Sequence, residues 1–174
     1  NTKYPKRFYR ASVSEDEKVL FISESGEGHG NALYIEDPKK NTFVQLADNM
    51  DYDHYPIEVI GNTIYFFTNN GAPKYRLMTA DISKPNFKDW KDLVPESDIV
   101  LSNAQVIDNK FFLVYEKDAS NRAYVYDLNG KELHEITLPS LGSVDFSGDK
   151  DEKDCYFTFA SFITPGTIYK YDTD

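Results

Sequence analysis

At 174 residues, with 40% hydrophobic and 15% aromatic side chains, the chain is long enough to bury one core, and its 13 Tyr and 12 Phe favour pleated sheet over helix. A formal net charge of −10 argues against nucleic acid and anionic membrane as partners, since both require Lys/Arg surfaces. The single cysteine, Cys155, excludes an internal disulfide, and no apolar run approaches the roughly 18 residues of a membrane helix.

The chain opens on Asn1 with no apolar segment behind positive charge, which reads as a processed or excised start. From there a pattern of about 45 residues repeats. The first repeat, 8–48, reads as a strand over 10–14, a polar link at 15–18, a dense apolar run at 20–23, a Gly-rich segment at 26–30, a strand at 33–37 closing on Asp37, and a half-exposed strand at 43–46. The second, 54–96, has strands at 55–60, 63–68 and 77–81, the turn Gly61-Asn62, and at 85–90 one short helical turn. The third, 102–139, has strands at 103–107, 112–115, 124–127 and 133–136, with Asp108-Asn109-Lys110 as a turn. The fourth, 143–174, has strands at 143–147, 156–159 and 168–172 and stops where an outermost strand should begin.

Asp37, Asp81, Asp127 and Asp172 are spaced 44, 46 and 45 residues apart, a register that unrelated segments would not keep. In each repeat the second run is apolar on successive residues, as expected of an inner strand covered on both faces, and the later runs at 43–46 and 133–136 are half-exposed, as outer strands are. Short Asn/Asp/Gly links make hairpins of neighbouring runs. The expectation is an all-β fold: a β-propeller fragment of about three and a half to four blades, each a four-stranded antiparallel meander.

Candidate chemistry is sparse. His29, His54 and His134 fall in a Gly-rich loop, a loop before a strand and an outer strand, without the converging ligands of a metal site or the partnered nucleophile of a catalytic one. The segment Gly26-Glu27-Gly28-His29-Gly30 lacks the spacing and following helix of a phosphate cradle and reads as a flexible loop. The acidic stretches 48–53 and 149–154 lack the turn glycine and distal glutamate of a calcium loop and read as solvated turns. Cys155 reads as a core thiol, and Trp90 and the tyrosines as sheet packing rather than a sugar platform. No catalytic, cofactor-binding or metal-ligating residue is assigned.

Two strings are more specific than a generic blade. Thr68-Asn69-Asn70-Gly71-Ala72-Pro73-Lys74-Tyr75-Arg76-Leu77, continued by Trp90-Lys91-Asp92-Leu93-Val94-Pro95-Glu96, resembles the late propeller blades of the prolyl oligopeptidase family of serine peptidases. Ile136-Thr137-Leu138-Pro139-Ser140-Leu141-Gly142-Ser143-Val144 and Phe157-Thr158-Phe159-Ala160-Ser161-Phe162-Ile163-Thr164-Pro165-Gly166-Thr167-Ile168-Tyr169 are similar to the same family in the same order. Ala72-Pro73 and the 165–169 string favour the prolyl branch over oligopeptidase B. The resemblance implies a cytosolic-type or periplasmic peptidase in which a seven-bladed propeller filters substrates by size above an α/β-hydrolase domain, and cleavage of short peptides follows proline. The Gly-x-Ser-x-Gly nucleophile elbow occurs nowhere in this chain, so no catalytic residue transfers onto it. Some members carry a cysteine at the position of Glu36, so no subsite residue transfers either.

The implied partners are the hydrolase domain of a parent chain and, through it, short proline-containing peptides. The implied role is gating and docking, without chemistry by this chain. On the repeat alone, a free-standing propeller-like module that binds a peptide, glycan or protein is the alternative. End blades lacking a neighbour would expose apolar faces and drive self-association.

Overall fold

The computed structural model describes residues 4–26, 28–37, 40 and 42–173; Asn1, Glu27 and Asp174 lie outside them. Among the described residues there are fifteen strands in four antiparallel meanders. The first sheet is β1 (Phe8–Val13), β2 (Leu20–Ser25), β3 (Asn31–Asp37) and β4 (Thr42–Ala47). The second is β5 (His54–Ile60), β6 (Thr63–Thr68), β7 (Arg76–Asp81) and β8 (Lys91–Val94), with a 3-10 turn at Phe87–Asp89. The third is β9 (Val100–Ile107), β10 (Lys110–Lys117), β11 (Ser120–Asp127) and β12 (Glu132–Ile136). The fourth has three strands, β13 (Ser143–Ser147), β14 (Cys155–Ala160) and β15 (Thr167–Tyr171). No helix among the described residues is long and apolar enough to cross a membrane.

The periodic aspartates have a local cause. Asp81 accepts the backbone N–H of Ser83 at 2.8 Å, and Asp127 accepts those of Asn129 and Lys131, each at 2.9 Å. Each carboxylate thereby closes the turn from the third strand to the fourth. Asp108-Asn109, between β9 and β10, has positive φ at both residues (49° and 53°), the conformation of a tight hairpin turn. Asp118-Ala119, between β10 and β11, repeats it at 51° and 57° without the Gly or Asn that would advertise it.

The chain divides into two compact units, Asn1–Pro95 and Glu96–Asp174. In the first, Phe21, Leu33, Ile35, Leu46, Ile64 and Phe66 form the core. The Trp90 ring stacks on Phe66 at 3.7 Å between centroids, and its indole N–H donates to the Pro85 carbonyl at 2.9 Å. In the second, Ile107, Phe112, Val125, Phe146, Phe157 and Phe159 pack around Cys155, which is fully buried. Full burial of each such side chain contributes about 1.5–3 kcal/mol. The inner runs at 63–68 and 112–115 are buried on successive residues, whereas β14 alternates: Cys155, Phe157 and Phe159 are buried, Tyr156 and Thr158 exposed. Among the described residues only one face of that strand is buried, so the two-sided burial expected at 156–159 is not met.

Within each unit one asparagine ties a sheet to the start of the next. Asn31 donates its backbone N–H to the Tyr52 carbonyl (2.9 Å), and its side-chain oxygen accepts the His54 N–H (2.9 Å). Asn121 donates to the Gly142 carbonyl (2.8 Å) and accepts from the Val144 N–H (2.9 Å). Both asparagines stand six residues before their repeat's closing aspartate, so the same amide does the same work twice. Tyr75 and Gly166 occupy that position in the second and fourth repeats.

Candidate functional site

In each sheet the turn between the second and third strands lies at the end where the first strand begins. In the first unit this end carries Gly26, Gly28, Gly30 and the 69–75 loop. Gly30 donates its N–H to the Met50 carbonyl at 2.8 Å, and a Cβ on Gly30 or Gly28 would sit 1.9 or 2.1 Å from the carbonyl oxygens of Tyr52 and Met50. The glycines therefore allow close approach to the 50–52 backbone, in place of the flexibility expected from their number.

One buried carboxylate in this unit is engaged on both oxygens. The Glu24 carboxylate, almost wholly buried, accepts Arg7 Nη1–H at 3.0 Å and Tyr9 O–H at 2.6 Å on one oxygen and Tyr34 O–H at 2.6 Å on the other. Burial alone would raise its pKa; the bonds from Tyr34, Tyr9 and Arg7 outweigh that and hold it below the ordinary value. Burial and the same bond push Tyr34 up to about 12. Asp53 accepts the Tyr55 O–H at 3.0 Å and the Tyr75 O–H at 2.5 Å, fixing Tyr75 over Phe67, whose rings stack at 4.5 Å.

The three histidines are dispersed. His29 is exposed in the Gly-rich segment. His134, on β12, faces the Tyr171 hydroxyl at 2.5 Å. His54 is the first residue of β5 rather than part of a loop, and is fully buried. Its Nδ1 lies 2.8 Å from the Asn31 carbonyl, which can only accept, so Nδ1 carries the proton and Nε2 accepts from the Asn70 amide at 3.2 Å. Burial lowers its pKa against the raising effect of that carbonyl. Among the described residues no group of three or more His, Cys, Asp or Glu could hold a metal. Burial also raises the Cys155 thiol to about 11, which leaves it protonated and unreactive at neutral pH.

The acidic stretches are turns. Asn49 accepts the Asp51 N–H at 3.0 Å, and the carbonyls of Asp149 and Lys150 receive the N–H groups of Asp108 and Asn109 at 3.2 and 2.7 Å. Trp90 is buried and Glu36 half-buried on β3, so neither forms a binding platform.

The second unit carries a concavity of its own. A cavity of about 470 Å³ lies between the Asp118-Ala119 turn, the Leu141-Gly142-Ser143 segment and Ala160-Ser161-Phe162. Its lining is apolar apart from the hydroxyls of Ser120, Ser143 and Ser161 and the Asp118 carboxylate. This geometry can seat an apolar surface.

A family model described as the prolyl oligopeptidase N-terminal β-propeller domain matches residues 1–174. The chain belongs to that family. Prolyl endopeptidase of Elizabethkingia meningoseptica is 37% identical over 172 residues, which are 98% of this chain and 24% of that protein. The prolyl endopeptidase of Elizabethkingia miricola is 34% identical over 99% of this chain and 24% of its own length. Among solved structures, a prolyl endopeptidase studied for inter-domain dynamics superposes with a TM-score of 0.91 at 30% identity, over 97% of this chain and 25% of that one. Prolyl oligopeptidase B from Galerina marginata, bound to a 35mer hydrolysis and macrocyclization substrate, gives 0.89 at 25% identity over 99% of this chain and 25% of its own. The chain thus spans about a quarter of the length of these prolyl oligopeptidases. The all-β propeller reading and the family resemblance both agree with these matches.

Proposed function

We propose that this chain is part of the propeller that gates a serine endopeptidase cleaving short peptides after proline, filtering substrates by size and contributing no catalytic group. The observation that carries the reading is the match over 98% of the chain to a prolyl endopeptidase four times as long. The absent nucleophile elbow and the dispersed histidines fit a filter better than a reaction centre. The repeats 8–48, 54–96, 102–139 and 143–174 are its blades. An α/β-hydrolase domain in the rest of the parent supplies the chemistry. Without neighbouring blades the apolar faces of the two end sheets, one carrying Phe8 (76% exposed) and the other Ile168 (72% exposed), drive self-association.

The test compares the parent enzyme with this chain on a chromogenic Gly-Pro amide and on proline-containing peptides from 10 to well beyond 35 residues, the length that the Galerina relative accommodates. The parent cleaves the short substrates and loses rate with length, while this chain cleaves none. Cleavage by the pure chain, or a parent rate independent of length, overturns the reading.

A further inference from the structure

The chain holds two Asn-Gly pairs, Asn70-Gly71 and Asn129-Gly130. At such a pair the backbone nitrogen of the second residue attacks the asparagine side chain most easily, because glycine sets no side chain in the way. The reaction starts when that nitrogen loses its proton, and the negative charge spreads onto the carbonyl oxygen of the asparagine. The groups that face this oxygen and this nitrogen set the rate, and they differ between the two sites.

The Asn70 carbonyl oxygen accepts Nη2–H of Arg76 at 2.8 Å. The same nitrogen flanks the next residue, since a Cβ on Gly71 would lie 3.5 Å from it. A cation so placed favours the anion of the Asn70-Gly71 peptide. Arg76 is also bonded through Nη1 to Asp92 at 2.8 Å, but Asp92, at 54% exposure, is better screened by solvent than Arg76, at 20%. The Ala72 N–H donates to the Asn69 carbonyl at 3.0 Å, and within that turn Gly71 is exposed with a φ of 70°. At Asn129 the surroundings have the opposite sign. Gly130 donates its N–H to the Asp127 carbonyl at 3.0 Å, and the Asp127 carboxylate accepts the N–H groups of Asn129 and Lys131. The proton that must leave is bonded there, and a negative charge stands beside it.

We propose that Asn70 is a self-modification site, converted by water to aspartate or isoaspartate through a cyclic imide. The Gly71 nitrogen gives its proton to solvent and bonds to Cγ of Asn70; the Cγ–Nδ2 bond breaks, and Nδ2 leaves as ammonia with a proton from water. Water then adds to either ring carbonyl and breaks its bond to the nitrogen, leaving a carboxylate. A buried neighbour registers the change. Asn70 Nδ2 lies 3.2 Å from His54 Nε2, the acceptor of the neutral ring, and the carboxylate of the aspartate product offers that nitrogen no donor. His54 regains a bond there by taking up a proton. Burial lowers the affinity of His54 for that proton, and the Asn31 carbonyl, Asp53 and Asp48 raise it; Phe87 and Trp90, edge-on at 5.7 and 6.1 Å, bring no charge.

The test stores the full-length protein containing this chain, warm and at neutral pH, and follows both asparagines by peptide mapping with isoaspartate detection. Asn70 should convert several-fold faster than Asn129 in the folded protein, and the two should converge in urea, where only the shared dipeptide remains. R76Q should slow Asn70 about tenfold, R76K should keep its rate, and D92N, which removes the counter-charge, should raise it. Asp92 is exposed, so D92N tests the charge even where R76Q fails to fold. In N70D the His54 ring should titrate at least about one pH unit higher by NMR. Conversion of Asn129 as fast as Asn70 in the folded protein, or an Asn70 rate indifferent to D92N and R76Q, overturns the site. An N70D protein whose His54 titrates as before overturns the coupling to the histidine.

Discussion

Glu24 and His54 are the two side chains whose polarity and burial are most at odds, and each is resolved by neighbours. Removing the Glu24 carboxylate leaves the donors of Arg7, Tyr9 and Tyr34 without their acceptor. Glu24→Ala is therefore expected to cost about 2–4 kcal/mol, and Glu24→Gln less, since one oxygen survives; urea unfolding measures both. His54 is held neutral, with its pKa lowered by burial. An unfolded chain binds that proton near pH 6.5 while the folded chain does not. Stability from this group is therefore intact above about pH 6.5 and declines as the pH falls through the folded value. His54→Gln should flatten that part of the profile of unfolding midpoint against pH; an unchanged slope would show that another group carries it. Neither role was legible in sequence. Glu24 follows the apolar run at 20–23 and looks like a surface residue, because its partners come from the chain before β1, from β1 and from β3. His54 looked like loop because nothing local reveals that Asn31 reaches it from 23 residues away.

Among the elements, the asparagine ties and the hairpin turns carry separable shares of stability. Asn31→Ala and Asn121→Ala each leave a backbone N–H near the start of a strand, that of His54 or Val144, without its acceptor, at an expected cost of about 1–3 kcal/mol. Hydrogen exchange should lose protection at those amides first and leave the other unit unaffected. At Ala119 the strain runs the other way. Its φ of 57° costs an L-residue about 1–2 kcal/mol, so Ala119→Gly, after the added freedom of the unfolded chain, should stabilise by about 0.5–1 kcal/mol in thermal unfolding. The sequence showed the strand interiors well, because apolar runs and closing aspartates are local signals. Strand starts were less visible: β9 begins at Val100 and β11 at Ser120, both earlier than composition suggests. Polar residues such as Asn103 and Asn121 hide the pairing there, and a turn built from Asp118-Ala119 gives no Gly to mark it.

For the whole molecule, the exposed side chains of β1 and β15 (Phe8, Val13 and Ile168 among them) predict that the isolated chain associates at micromolar concentration. Multi-angle light scattering should show a mass above the 20.0 kDa of one chain, and a strictly monomeric particle counts against the prediction. The propeller architecture was readable from the aspartate spacing, and the family from ordered strings near 68–77 and 157–169.

Each of the strand pairings found joins a strand to the one before or after it in the chain, and the asparagine ties reach across only 23 residues. Loop closure is cheap at such separations, so each meander can assemble without waiting for a distant segment. A ribosome delivering this chain would release finished sheets one after another, with Asn31 and Asn121 each latching a newly emerged strand onto the sheet already made.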